Sequence, residues 1–224
     1  MPLRPVEYVS DGVIAERAVH LIRAYERKRG RPISLPIPVE TLVERVLGLR
    51  IAWVQIEERQ GEIILARMDP DFEGRPTIQM NERRRGHFEE YIGTESYSIG
   101  HEAGHWDLHY DDGGDATQMS LWGVDVGGVV NLDRTLCRRM GDGDRREFQA
   151  ERFAAHLLMP EYLMRPMAAG RDLYTWGAIA SLARDCGVSK RALTRRLEEL
   201  RLIQIGPDNR LRSPSAAAGT RRMF

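Results

Sequence analysis

The chain has 224 residues, of which 42% are hydrophobic and 29% charged, and its 33 basic and 33 acidic side chains cancel. That length buries a substantial core and allows one main domain with a small appendage, and no stretch has the apolar run that a membrane helix needs. The opening MPLRPVEYVSDG lacks the apolar core of a secretion signal, and Cys137 and Cys186 are too few for a disulfide scaffold, so a cytoplasmic protein without a membrane partner is expected.

In chain order, Ile14, Ala18, Leu21, Ile22 and Tyr25 recur at helical spacing after Ser10 and Asp11, predicting an amphipathic helix over 11–29 that stops at Gly30. A short helix is expected after Pro38, with Leu42, Val43, Val46 and Leu47 inside and Gly48 as its end. Three β-like runs follow at 50–57, 61–68 and 75–81, separated by EERQG and DPDFEGRP, and predict a small antiparallel sheet. The charged run 82–90 reads as a loop or helix start, with His87 exposed and without a role. From Thr94, as a cap, to about Tyr110 a helix is expected to pack through Ile99, Ala103 and Trp106. The glycine-rich stretch 111–143 is too long for a simple connector and reads as a lid or substrate-binding excursion. A further helix over about 145–158 buries Phe148, Ala154, Ala155, Leu157 and Leu158 and ends at Pro160.

The helix from Thr94 carries the chemistry, in HEAGH at 101–105. Residues four apart share a helix face, so His101 and His105 can reach one ion while Glu102 projects beside them towards a bound water. Zinc with three protein ligands keeps one position open for water and substrate. Two residues compete for the third ligand: Glu147 and Glu151, which stand at i and i+4 on the next helix. Glu147 also completes a capping-box pattern with Asp144, which would give it a purely structural role. His109 continues the series, but it stands about one turn beyond the ion that the first two would hold, which favours an outer hydrogen bond. His156 and Tyr162 are candidate donors to a developing oxyanion, and nothing in the sequence selects between them. Cys137 reads as packing, not as a nucleophile.

The array SIGHEAGHWDLH at 98–109, followed by EFQAERFAAHLLMP at 147–160, resembles the ImmA/IrrE family of metallopeptidases, in which a HELGH-type helix precedes an ExxAN-FAA-LLMP-type helix. PIPVETLVERVLGLRI at 36–51, GEI at 61–63 and TIQMNE at 77–82 look like the family's lead-in, so the likeness covers most of 11–165. The resemblance implies a zincin-like α+β domain and a zinc endopeptidase, gluzincin-like, with manganese as the other metal. It makes His101, His105 and Glu147 the ligands and Glu102 the catalytic acid and base. It further implies a helix-turn-helix repressor as protein substrate, in stress response or mobile-element control. Glu151 departs from the pattern, which has asparagine there, and leaves a second carboxylate beside the metal as an alternative ligand.

The remainder reads as a separate module over 170–213, after a peptidase domain over 1–165 and before a tail at 214–224 expected to be mobile. Residues 175–205 predict two helices joined at Cys186 and Gly187, the second started by Ser189 with Leu193, Leu197 and Leu200 inside. LIQI, GPDN and RLR add a hairpin, giving a helix-turn-helix or winged-helix shape. Basic residues outnumber acidic ones from Arg184 onward, and Lys190, Arg191, Arg195 and Arg196 are the candidate contacts to DNA or a partner. A DNA-binding regulator with a structural or inactive metal site is therefore the rival reading, alongside a module that merely packs against the peptidase part.

Overall fold

A computed structural model describes residues 9–61, 63–110 and 142–214. The region expected to form a lid at 111–143, with Cys137, falls almost wholly outside them, as does nearly all of the tail expected at 214–224.

Helix α1 spans Asp11–Arg29. The Ser10 hydroxyl accepts a hydrogen bond from Val13 N–H at its start, and Gly30 closes it in the left-handed conformation that glycine adopts without strain. Its buried stripe is the expected one, Ile14, Ala18, Leu21, Ile22 and Tyr25. Helix α2 (Val39–Leu42) continues through a π-helical turn, Val43–Leu47, to Gly48. Val46 and Leu47 are half-buried instead of forming part of a full stripe, because the wider turn rotates them off the core-facing line.

The strands are β1 (Arg50–Val54), β2 (Ala66–Phe72) and β3 (Arg75–Asn81), in the order β1-β3-β2. The sheet is mixed, not antiparallel throughout: β2 and β3 form an antiparallel hairpin, but β3 inserts between its predecessors and runs parallel to β1. Strand β2 also begins later than expected and runs through Asp69–Phe72. The hairpin reverses at Glu73 and Gly74, both at positive φ (53° and 78°), and Pro70 is tolerated because β2 is an edge strand.

A 3₁₀ turn at Glu82–Arg84 leads into α3 (Arg85–Glu90), and α4 follows as Thr94–His109. Thr94 is not its cap; Gly93 is, at φ 84°, and a Cβ there would stand 2.6 Å from Val188 Cα, so the close approach of two backbones selects glycine. The next described helix, α5, is Asp142–Leu158, and it packs against both α1 and α4. Phe153, Ala154, Leu157 and Leu158 are buried, whereas Phe148 is only half-buried.

A helix that the periodicity did not reveal, α6 (Glu161–Ala168), follows Pro160. Then come α7 (Trp176–Cys186), α8 (Lys190–Glu199) and a hairpin of β4 (Gln204–Ile205) and β5 (Leu211–Arg212). Gly187 ends α7 in the left-handed conformation, and the Ser189 hydroxyl caps α8 by accepting from Ala192 N–H. The molecule is α+β, with helices packed around a small sheet. Its apolar interior is continuous: Ile14, Leu42, Ile78, Ile99 and Phe153 belong to the same cluster as Met164, Ile179, Leu193 and Leu197. Among the described residues no helix is long and apolar enough to cross a membrane.

Candidate metal centre

The centre is built where α4 crosses α5, and two glycines set how closely they meet. A Cβ on Gly100 would touch Ala154, and one on Gly104 would stand 3.0 Å from Phe153 Cβ and 3.1 Å from Ala150 Cα. With small residues on both sides the axes come close, and the first turns of α5 reach the histidines of α4. Glu147 Oε2 then lies 3.0 Å from His101 Nε2, Glu147 Oε1 lies 3.3 Å from His105 Nε2, and the two Nε2 atoms are 3.1 Å apart. His101, His105 and Glu147 are the group of potential ligands found among the described residues, with all ligand atoms within 4.8 Å of one another.

This triangle suits a cation. Tetrahedral zinc with ligand distances of about 2.0–2.1 Å has donor-to-donor edges of roughly 3.3 Å, close to the three separations seen here. Two imidazole nitrogens this near cannot both carry protons towards each other, so the arrangement asks for a proton or a metal between them. Electrostatics among the three side chains agree. Burial opposes ionisation of Glu147, yet the hydrogen bond from His101 and the proximity of His105 hold its carboxyl well below the usual carboxylate range. Burial also opposes a charge on His101, but the Glu147 hydrogen bond and the nearby Glu102 charge raise its pKa, while burial and His101 lower that of His105.

Glu102 is 1% exposed. Its carboxyl accepts a backbone hydrogen bond from Met68 of β2, and its Oε2 has no partner. Burial pushes its pKa up to about 8, an effect that the proximity of His101 opposes. The edge strand thus holds one side of this carboxyl and leaves the other free for a proton.

Glu151, the alternative ligand, lies one turn further along α5 and is not among the three clustered groups. Burial raises its pKa, and the proximity of His101 opposes that rise. The capping-box reading of Glu147 yields to the geometry: its carboxylate meets the two imidazoles, and α5 already begins at Asp142. His109 is outside the ligand cluster, as expected, and hydrogen-bonds instead to His105 and to Gln149 of α5. Burial brings its pKa down to about 4, so it is neutral.

His156 and Tyr162 do not stand over the centre. His156 follows Glu147 by nine residues, which on a helix is the opposite face and about 13 Å along the axis. There His156 Nε2–H donates to Asp11 Oδ1 (3.0 Å), and its Nδ1 accepts from Arg196 Nη2 (3.0 Å). Tyr162 lies under the Arg23 guanidinium, 4.4 Å from its ring centroid. Both line a groove of about 810 Å³ between α1, α5, α6 and α8.

Arg196 also departs from expectation. It is 4% exposed and bonds to Met159 O, His156 and Glu199, because its position on α8 faces α5 and not solvent. Lys190, Arg191 and Arg195 do lie on the exposed face; Lys190 sits over the Trp176 ring and Arg195 pairs with Glu199. Sequence reasoning missed Gln149, Gly104 and Arg152. Gln149 had a signal, since it is a polar residue on the stripe of Ala150, Phe153, Ala154 and Leu157.

The family model for the IrrE N-terminal-like domain of M78 peptidases matches residues 139–198, from the Glu147 helix to nearly the end of α8. Over those residues the chain is similar to an IrrE N-terminal-like domain. The HEAGH segment precedes the matched stretch, so the two histidines and Glu147 are joined here by geometry and not by the match. Such a peptidase-family domain implies a metal ion, and the donor set at the α4–α5 crossing fits one. No curated protein matches the chain. Among solved structures, a Mycobacterium tuberculosis transcriptional regulator is similar at 16% identity and a TM-score of 0.47, over 82% of this chain and 47% of that one. The chain therefore spans about half the length of that regulator.

Proposed function

We propose that this ImmA/IrrE-type chain is a zinc-dependent endopeptidase that hydrolyses a peptide bond of a protein substrate, a helix-turn-helix repressor in stress response or mobile-element control. The observation that carries the reading is the meeting of His101 Nε2, His105 Nε2 and a Glu147 carboxylate, beside a buried Glu102 with one oxygen free. His101, His105 and Glu147 would hold the ion. Zinc in such a site lowers the pKa of its water to about 7 and polarises a carbonyl as a Lewis acid. Glu102 takes the proton of the attacking water on Oε2 and returns it to the departing amine, while Met68 N–H keeps the other side of the carboxyl fixed. Among the described residues strand β2 is an edge of the sheet next to Glu102, a surface suited to an extended peptide.

The test is elemental analysis of the purified chain beside Glu147→Ala and Glu102→Gln, followed by incubation with candidate repressors. About one zinc per wild-type chain, lost in Glu147→Ala, with zinc retained but cleavage abolished in Glu102→Gln, is expected. A wild type that stays metal-free after zinc reconstitution overturns the reading, and manganese in place of zinc corrects the metal.

A second reading takes α7 and α8 with the β4–β5 hairpin as a winged helix-turn-helix, and it is supported by the exposure of Lys190, Arg191 and Arg195 and by Arg210, 82% exposed beside the hairpin. It expects duplex DNA binding that weakens steeply with salt and is lost when those four residues become alanine.

A further inference from the structure

His105 offers Nε2 to the ligand set, and its other nitrogen, Nδ1, is 3.2 Å from His109 Nδ1. His109 in turn places Nε2 2.9 Å from Gln149 Oε1. A neutral imidazole has one N–H and one lone pair, so the protons in such a chain must all run in the same sense. An amide oxygen only accepts. His109 Nε2–H therefore donates to Gln149, His109 Nδ1 is a lone pair, and it accepts from His105 Nδ1–H.

We propose that Gln149 and His109 form a hydrogen-bond relay that fixes His105 in its Nδ1–H tautomer and leaves the Nε2 lone pair facing His101 and Glu147. Gln149 and His109 are positioning residues that act through His105, and the purpose of the relay rests on reading His105 as a metal ligand. Run in the opposite sense, the relay would put a proton on His105 Nε2, in the space that a cation needs. Gln149 and His105 are each 2% exposed and His109 between them is half-buried, so water is poorly placed to substitute for Gln149. Gln149 follows Glu147 by two residues on α5, so one helix supplies both a ligand and the anchor of the relay, and any slip of α5 along α4 disturbs both. The two histidines are thereby unequal: His101 Nδ1 has no hydrogen-bond partner among the described residues.

The test uses the full chain with ¹⁵N-labelled histidine, stripped of metal, to read the His105 tautomer by NMR, together with zinc affinity measured by competition with a chromophoric chelator. Wild type is expected to show the Nδ1–H tautomer at His105. Gln149→Glu, which keeps an acceptor, should preserve that spectrum, while Gln149→Leu and His109→Leu should give mixed tautomers and weaken zinc binding about 10–100-fold, the usual cost of losing a partner behind a ligand. Circular dichroism checks folding, and should His109→Leu fail to fold, the Gln149 pair decides. An Nε2–H tautomer in the wild type, or Gln149→Leu with unchanged spectrum and affinity, overturns the relay. A wild type that shows the expected tautomer but takes up no zinc leaves the relay standing and refutes the metallopeptidase reading.

Discussion

Replacing Arg196 with alanine separates an arginine that holds the molecule together from one that meets a partner. Its guanidinium donates to Met159 O at 3.0 Å, to His156 Nδ1 at 3.0 Å and to Glu199 at 3.3 Å. Hydrogen bonds to a charged group contribute about 1.5–3 kcal/mol each, and breaking a buried charged network costs about 3–5 kcal/mol. Glu199 keeps Arg152 and Arg195 as partners, so the lower end applies, about 3 kcal/mol. For a chain of this size that is a fall in Tm of about 6–12 °C. Arg195 has a side chain 43% exposed and pairs with Glu199 one turn along α8, and Arg195→Ala should move Tm by no more than about 2 °C. Thermal unfolding followed by far-UV circular dichroism reads both. An Arg196→Ala protein melting with the wild type would refute the reasoning, and if it also lost duplex binding, Arg196 would have to face a partner after all.

Gly104→Ala gains about 1 kcal/mol of helix propensity but pushes α4 off Ala150 and Phe153 at a cost of about 1–3 kcal/mol. Tm should fall by a few degrees while zinc affinity drops on the order of tenfold, the scale seen when a ligand loses its support, and unchanged affinity by chelator competition would deny that this contact sets the site. Gly93→Ala puts a Cβ against the Val188 backbone at positive φ, and urea unfolding should show a loss of about 3 kcal/mol. Burial would raise the Asp11 carboxyl, but Arg152 and His156 hold it down to about 2, below its ordinary 3.8. Its stabilising contribution is therefore complete above pH 4 and is lost as pH falls towards 2; Asp11→Asn should flatten that part of the acid-denaturation curve, and identical curves would show the network to be inert. Zinc at a hundredfold excess over its Kd should add about 2.7 kcal/mol, raising Tm by about 5–10 °C in wild type and not in Glu147→Ala, as read by differential scanning calorimetry with and without chelator.

Local chemistry made much of this legible from the residues alone. The apolar stripe from Ile14 to Tyr25 between Ser10 and Gly30 defined α1, and Ser189 with Gly187 marked the turn between α7 and α8, because caps and left-handed glycines act within a few residues of themselves. HEAGH placed two imidazoles and a carboxylate on one helix, since a spacing of four fixes a face. Pairing across the chain was beyond that reach. That β3 enters between β1 and β2, and so runs parallel to β1, depends on the path of the intervening chain and not on alternation within a strand. Whether Glu147 capped a helix or met the histidines was decided by how closely Gly104 lets α5 approach. Arg195 and Arg196 are neighbours of the same chemistry in sequence, and only the packing of α8 on α5 turned one outward and buried the other.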